Sequence, residues 1–398
     1  MRNCGLAPSR IDGRRAAGGG RRGGTIRHPA SSTGFAVQRR RPVSPTGFVD
    51  RRAGRTRDRV PPPSERSRSM TDVRRLIGLG LATAWLWGAA PAAAAPAAAE
   101  PESRLFTGMC DASAAVPIDA GHFVVASDED NVLRVYALSG GAPTATVPLA
   151  GFLKTGTRES DLEGAARIGD RIYWIASHGR NSSGKLRTER QRLFATDIVP
   201  GGATATFQPV GTPSTGLLPA LVAAPALQGF GLDAAAERAP EAEGGLNIEG
   251  LAATPDGRLL VGFRNPLIGG KALVVTLDNP AGIVAGAAPA IGAVALVALG
   301  GRGIRSLERI GDGYLIVAGP TADAGSFALY RWSGGAADPV AVPGVDFGTL
   351  RPEALFATAG SSEIQILSDD GGVKVGGVEC KSLPVAQQRF RGIAVTVN

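Results

Sequence analysis

A chain of 398 residues with 43% apolar residues is long enough to bury a sizeable core, but its net charge of +8 is unevenly spread. The first 69 residues hold 17 Arg, no Lys and four acids (Asp12, Asp50, Asp58 and Glu65), a local charge of +13. Removing that and the +1 of residues 70–96 leaves −6 from Ala97 onward, so the pI near 9.9 belongs to the tail and gives no ground for a nucleic-acid partner of the folded part.

Residues 1–69, rich in Arg, Gly, Pro and Ser and without apolar periodicity, read as a disordered extension, open to being translated upstream of the true start. A nucleic-acid-binding basic tail is the competing reading. Met70 opens what resembles a second N-terminus. Arg74 and Arg75 precede the apolar run LIGLGLATAWLWGAA and the small-residue stretch PAAAAPAAA, so residues 70–96 read as a secretory signal too short to span a bilayer. Export to the periplasm or medium follows, through the Sec or the Tat route, with no membrane span left after signal removal.

From Ala97 the chain repeats one sentence five times. Asp111-Ala112-Ser113 leads through Gly121 to HFVVAS and Asp128, and Asp161-Leu162-Glu163 through Gly169-Asp170 to RIYWIAS and His178. Asn247-Ile248-Glu249 leads through Asp256-Gly257 to RLLVGF and Arg264, Ser306-Leu307-Glu308 to YLIVAG and Asp323, and Arg351-Pro352-Glu353 to EIQILS and Ser368. Each opening residue lies 17 positions before its closing residue, as a β-hairpin with both ends at one sheet edge requires. A further pair of strand-like runs follows each hairpin, the last pair being GVKVGG (372–377) and RFRGIAVTV (389–397). Four short strands per repeat predict an all-β fold, a β-propeller of five four-stranded blades with room for a sixth, over residues 97–398. The surplus at residues 211–245 (GLLPALVAAPALQGF, then DAAAERAPEAEGG) reads as a helical insertion on one face, against a degenerate sixth blade.

Propeller topology sends both ends of every hairpin and the insertion to one mouth of the channel. Asp111, Asp128, Asp161, Glu163, His178, Glu249, Arg264, Asn265, Glu308, Asp323 and Glu353 should converge there under a lid. Mutually repelling carboxylates around a partly dry axis call for a hard oxygen-liganded cation, Ca²⁺ in the first place; the competing reading makes each Glu a fastener between blades. His178, beside Asp161, is the candidate general base, with Asp161 holding its tautomer; a hydrogen-bonding channel His is the plainer reading. The loop HGRNSSGKLRTERQR brings Arg180, Asn181, Lys185, Arg187, Arg190 and Arg192 to the same mouth. With Arg264 and Asn265 it would bind an anionic substrate, unless it is only a solvated basic loop. No nucleophile-elbow, zincin, P-loop or dinucleotide motif is found. Cys110 and Cys380, at the first and last repeats, are either a disulfide closing the ring, worth roughly 4 to 5 kcal/mol in the chain-entropy model, or two buried thiols.

The stretches CDASAAVPIDAGHFVVASDEDN, SDLEGAARIGDRIYWIASHGRNSSGK and GLNIEGLAATPDGRLLVGFRNPL resemble a bacterial exported family known only as domain of unknown function 3616, from Cys110 to the C-terminus. That resemblance implies no activity. The Glu163-Gly164 and Glu249-Gly250 openings are more distantly similar to esterase-like phytases and to calcium-dependent gluconolactonase and paraoxonase propellers. This likeness implies that Glu163 and Glu249 ligate Ca²⁺, with Asp111, Asp161 or Glu353 completing the shell; Ser113, Glu308-Arg309 and Glu353-Ala354 depart from the pattern. The expectation is a monomeric, calcium-dependent hydrolase of phosphoesters, esters or lactones, or alternatively a non-catalytic propeller that binds a ligand or an envelope protein.

Overall fold

The computed structural model describes residues 102–201, 205–322, 324–358 and 363–397; the tail, the signal segment and Asp323 lie outside the described residues. Five four-stranded antiparallel sheets are formed. Blade one is Ala114–Pro117, His122–Ala126, Val132–Ala137 and Ala145–Pro148, and blade two Leu162–Ile168, Arg171–Ala176, Leu193–Val199 and Thr206–Ser214. Blade three is Asn247–Ala253, Leu259–Ile268, Lys271–Leu277 and Ile291–Val297, and blade four Gly303–Ile310, Gly313–Gly319, Ala328–Trp332 and Val340–Ala341. Each first strand packs beside the first strands of the blades before and after it, blade five meeting blade one, so among the described residues the ring closes at five blades.

The closing blade departs from the expected order. Its inner strands are Pro352–Ala357 and Glu363–Ser368, its third is Arg389–Thr396, and its outermost is Arg104–Thr107 from the start of the domain, with Arg104 opposite Gly392 and Thr107 opposite Arg389. The run at 372–377 is no blade strand: Lys374–Val375 pairs with Val378–Glu379 in a small separate hairpin. Joining the first and last strands of the propeller in one sheet makes closure part of folding, since the last blade lacks its edge until Arg104–Thr107 arrives. The Cys110–Cys380 disulfide (Cα–Cα 5.9 Å) fixes that hairpin to the segment following Arg104–Thr107.

Alternating apolar residues fill the space between blades rather than a single centre. Val124, Val135, Trp174 and Phe194 pack between blades one and two, Ile304, Ile316 and Tyr314 between three and four, and Phe106, Phe123, Phe356 and Phe390 across the closure. Gly164 and Gly250 owe their identity to this packing. A Cβ on Gly164 would meet Leu251 Cβ of blade three at 3.0 Å, and one on Gly250 would meet Ile304 Cγ2 of blade four at 2.8 Å, so each glycine lets the neighbouring blade approach.

The insertion begins after Ser214, a few residues later than expected, because the fourth strand of blade two runs on to that residue. It is helical, with Leu217–Ala223 and Leu232–Ala236, and buries Leu217, Leu221, Leu227 and Leu232 against the second and third blades. No helix among the described residues is long and apolar enough to cross a membrane.

Candidate functional site

One backbone feature builds the site. In blades two to five the register of the innermost strand breaks near its start, twice in blade three: Leu162 pairs with Ala176 but Gly164 with Ile175, Ile248 with Phe263 but Gly250 with Gly262, Ile304 with Ala318 but Ser306 with Val317, and Pro352 with Ser368 but Ala354 with Leu367. A bulge leaves one residue outside the ladder and re-aims its side chain. The bulged residues are Glu163, Glu249, Arg305 and Glu353, and all four line a cavity of about 610 Å³ at one mouth of the propeller.

Arg305 corrects the expected frame of blade four. The spacing of 17 placed Glu308 in the ring, but Glu308 sits mid-hairpin opposite Leu315 and does not line the mouth, whereas Arg305 does. The guanidinium lies with its Nε 3.0 Å from Glu249 Oε2, a charge contact poorly aligned for a hydrogen bond, and its Nη2 pairs closely with Glu353 Oε1. Glu249 Oε1 accepts from Arg264 Nη1 (3.1 Å) and from Asn247 Nδ2 (2.8 Å). Arg264 also donates to the Pro320 and Ala322 carbonyls, which anchors it. Blades three, four and five are thus tied at their centre by a buried network of two arginines and two glutamates.

The Ca²⁺ shell expected from Glu163, Glu249, Asp111 and Glu353 does not fit this arrangement. Glu249 and Glu353 are taken up by Arg305 and Arg264, and among the described residues no three or more His, Cys, Asp or Glu side chains are grouped to hold an ion. The blade-four position supplies a guanidinium where the ring would otherwise need a metal.

On the blade-two side the charges are arranged differently. Asp161, with φ +58°, is held in an αL conformation that an Asp tolerates at a cost, and its Oδ2 accepts from Arg190 Nη1 at 2.8 Å. Burial raises its acid strength threshold to about 6, against the opposing pull of Arg190 and a hydrogen bond with Ser177. Glu163, two residues on, is 8% exposed and makes no hydrogen bond or ion pair among the described residues. Burial first, then the nearby Glu249 and Asp161 charges, push its carboxyl well above the usual range. At the junction of blades one and five, burial together with Asp128 and Asp369 pushes Asp111 up to about 10, and Asp128 is raised in the same way.

His178 is not brought to the mouth. Its ring is 1% exposed, lies apart from the cavity lining, and bonds through Nδ1 to the Ala176 carbonyl at 2.8 Å; burial lowers its pKa to about 4. The carboxylate of Asp161 is engaged by Arg190 rather than by His178, so the expected base and orienter do not form a pair. Arg180 turns to the insertion, donating from Nε to Ala236 O (2.9 Å) and pairing with Glu237. Asn265 does likewise, its Nδ2 donating to the Pro240 and Ala242 carbonyls, so both residues fasten the insertion over the mouth rather than face a substrate. Asp111, Asp161, Glu163, Asn181, Glu249, Arg264 and Glu353 do line the cavity.

The comparisons with known proteins agree with the sequence reading at the family level. Residues 212–343 match the family described as Protein of unknown function (DUF3616). The match takes in the insertion and blades three and four, a shorter span than the resemblance from Cys110 onward. No curated protein matches the chain. Similar solved structures include Myxococcus xanthus glutaminyl cyclase (14% identity over 75% of this chain and 96% of that one, TM-score 0.40). RS223-β-xylosidase is similar at 11% identity over 75% and 96% (TM-score 0.42), and a Trypanosoma rangeli sialidase mutant displaying trans-sialidase activity at 13% over 68% and 44% (TM-score 0.37). These likenesses are too loose to bear on activity, and the propeller assignment rests on the sheet topology itself.

Proposed function

We propose that the mouth is the acid–base site of an exported hydrolase acting on a polar ester, lactone or glycoside, with Asp161 as base and Glu163 as acid. The observation that carries this reading is the pair itself: two carboxyls two residues apart on one inner strand, whose surroundings push them to different protonation states at neutral pH. Asp161 is held ionised by Arg190, and Glu163, buried without a cationic partner of its own, keeps its proton. In the reaction Asp161 takes a proton from water as the water oxygen bonds to the scissile centre, and Glu163 gives its proton to the leaving oxygen. The cost of the αL backbone at Asp161 is of the kind stored at working sites.

A cation is not required by this scheme, since Arg305 and Arg264 already neutralise the far side of the ring. The signal-like segment and the Cys110–Cys380 disulfide support work in an oxidising compartment, the periplasm or the medium. One observation favours the alternative of a non-catalytic binding module: Glu249 and Glu353 are committed to a network that ties blades together. The test is hydrolysis of a panel of p-nitrophenyl glycosides, esters and lactones by the wild type, Asp161→Asn and Glu163→Gln. The reading expects a loss of 10²-fold or more in kcat for each variant, in line with removal of a general acid or base. Equal hydrolysis by all three proteins would remove it.

A further inference from the structure

The cavity is lined by eleven carboxylate side chains and six cationic ones, an excess of five formal negative charges. Four of the six cations are already paired with acids: Arg190 with Glu159 and Asp161, Arg264 with Glu249, Arg305 with Glu249 and Glu353, and Lys381 with Glu129. What remains over is acidic and lies mainly at the junction of blades five, one and two, with Asn247 adding an acceptor from the start of blade three. Asp128 Oδ1 and Asn247 Oδ1, the latter on a residue 4% exposed, are buried with no hydrogen-bond partner, and Glu163, 8% exposed, faces other acids with only the through-space pull of Arg305 against them. Buried acceptors without donors are costly, and here they share one cavity.

We propose that the mouth recognises a small organic cation, a molecule carrying an ammonium group, with Asp128 and Asp111 as its counter-charges and Glu163 and Asn247 Oδ1 as further acceptors. An ammonium brings three donors and one positive charge, which is what the unpaired acceptors lack, and its charge would draw Asp111 and Asp128, raised by burial and by each other, back to the ionised form. An anion is disfavoured because four of the six lining cations are paired with acids, which leaves Arg187 and Arg351 against a larger number of carboxylates. A metal ion fits poorly, since among the described residues these acids are not grouped as a ligand shell, while a volume of about 610 Å³ accommodates a whole small molecule. This differs from the anionic substrate expected from the basic loop, whose Arg190 is paired and whose Arg180 faces the insertion. The proposal deepens the hydrolase reading by naming the substrate's charge, and it rests on that reading's choice of the mouth as the site.

The test is calorimetric titration of the purified protein with spermidine and with glucosamine, beside N-acetylglucosamine, succinate and CaCl₂. The wild type should bind the two ammonium probes, with N-acetylglucosamine and succinate at least tenfold weaker. The Asp111→Asn/Asp128→Asn double variant should lose tenfold or more in affinity for the ammonium probes, the worth of one charge-assisted contact. Since those substitutions relieve repulsion between buried acids, the variant should melt no lower than the wild type, which separates lost binding from lost folding. No ammonium binding, unchanged binding in the variant, or stoichiometric Ca²⁺ that displaces spermidine would each overturn the proposal. The hydrolase reading fails separately: ammonium binding that persists while Asp161→Asn hydrolyses as the wild type does would leave this inference standing and remove that one.

Discussion

Replacing Arg305 tests whether the protein carries its own central cation. Arg305→Met keeps most of the side chain's volume but leaves Glu249 and Glu353, 2% and 5% exposed, facing each other across the axis with only Arg264 on one of them. Removing one partner of a buried ion network costs roughly 3 to 5 kcal/mol, most of it from the carboxylates left uncompensated. For a domain of this size, at about 2 °C per kcal/mol, the melting temperature should fall by roughly 6 to 10 °C in differential scanning calorimetry. Adding Glu249→Gln and Glu353→Gln to Arg305→Met should recover more than half of the loss, because neutral amides in place of charges need no counter-ion. Arg305→Lys should land between wild type and Met, since an ammonium cannot span both glutamates as the guanidinium does. A fall of less than about 1 kcal/mol for Arg305→Met, or a triple variant no better than the single one, would refute the idea that this ring is neutralised from within.

Other consequences of the structure can be measured independently. EDTA should leave the wild-type melting temperature unchanged, whereas CaCl₂ should raise that of Arg305→Ser if the two freed glutamates then recruit an ion; a chelator-sensitive wild type would restore the metal shell read from the sequence. Glu308, away from the mouth, is pushed by burial from 4.5 to about 8, so its contribution is fully present below about 4.5 and is lost as the pH rises through about 8. At roughly 1.4 kcal/mol per pH unit for one proton, discounted because part of the residue stays exposed, stability should drop by about 2 to 4 kcal/mol across that window; denaturation curves of Glu308→Gln should lack the drop. Reducing Cys110–Cys380, which closes a 270-residue separation, should cost roughly 4 to 5 kcal/mol and lower the urea midpoint, and an unchanged midpoint would mean that the paired terminal strands close the ring unaided. Gly250→Ala should cost about 1 to 3 kcal/mol by forcing Ile304 away, without moving any residue of the mouth's charge network if the glycine serves packing alone.

The fold was legible because its repeat unit is short and strongly patterned. Runs such as RIYWIA and KALVVTL became strands at the expected places, and turn residues marked the hairpins between them. The closing blade was not legible, because Arg104–Thr107 is four residues long and becomes a strand only when Arg389–Thr396 offers it an edge. The convergence of most hairpin ends on one mouth was legible, while individual partners within it were not. Whether Asp161 meets His178 or Arg190 depends on a positive φ and on a loop that folds back across the blade, and neither is written in residue spacing.

Arg305 could have been found. Ile168-Gly169-Asp170 and Ile310-Gly311-Asp312 are the same hairpin turn, and counting back five residues from each isoleucine lands on Glu163 and Arg305. Anchoring on the hairpin's outer ends instead selected Glu308, because closing residues vary while the two-residue turn fixes the register. The misplacement mattered chemically. With Glu308 in the ring, every filled position except Ser113 is an acid and a metal is the natural relief; with Arg305, the ring divides into a neutralised half on blades three to five and an acidic half on blades one and two. A structural repeat would give each blade the same side chain at the bulge. The bulge residues Glu163, Glu249, Arg305 and Glu353, with Ser113 just before the unbulged first strand of blade one, break that equivalence around the axis, which puts the unpaired acids on one wall of the cavity and a fixed counter-charge on the other. That asymmetry is unnecessary for holding five blades together, and it is the arrangement a site needs if it is to bind a cationic group in one orientation.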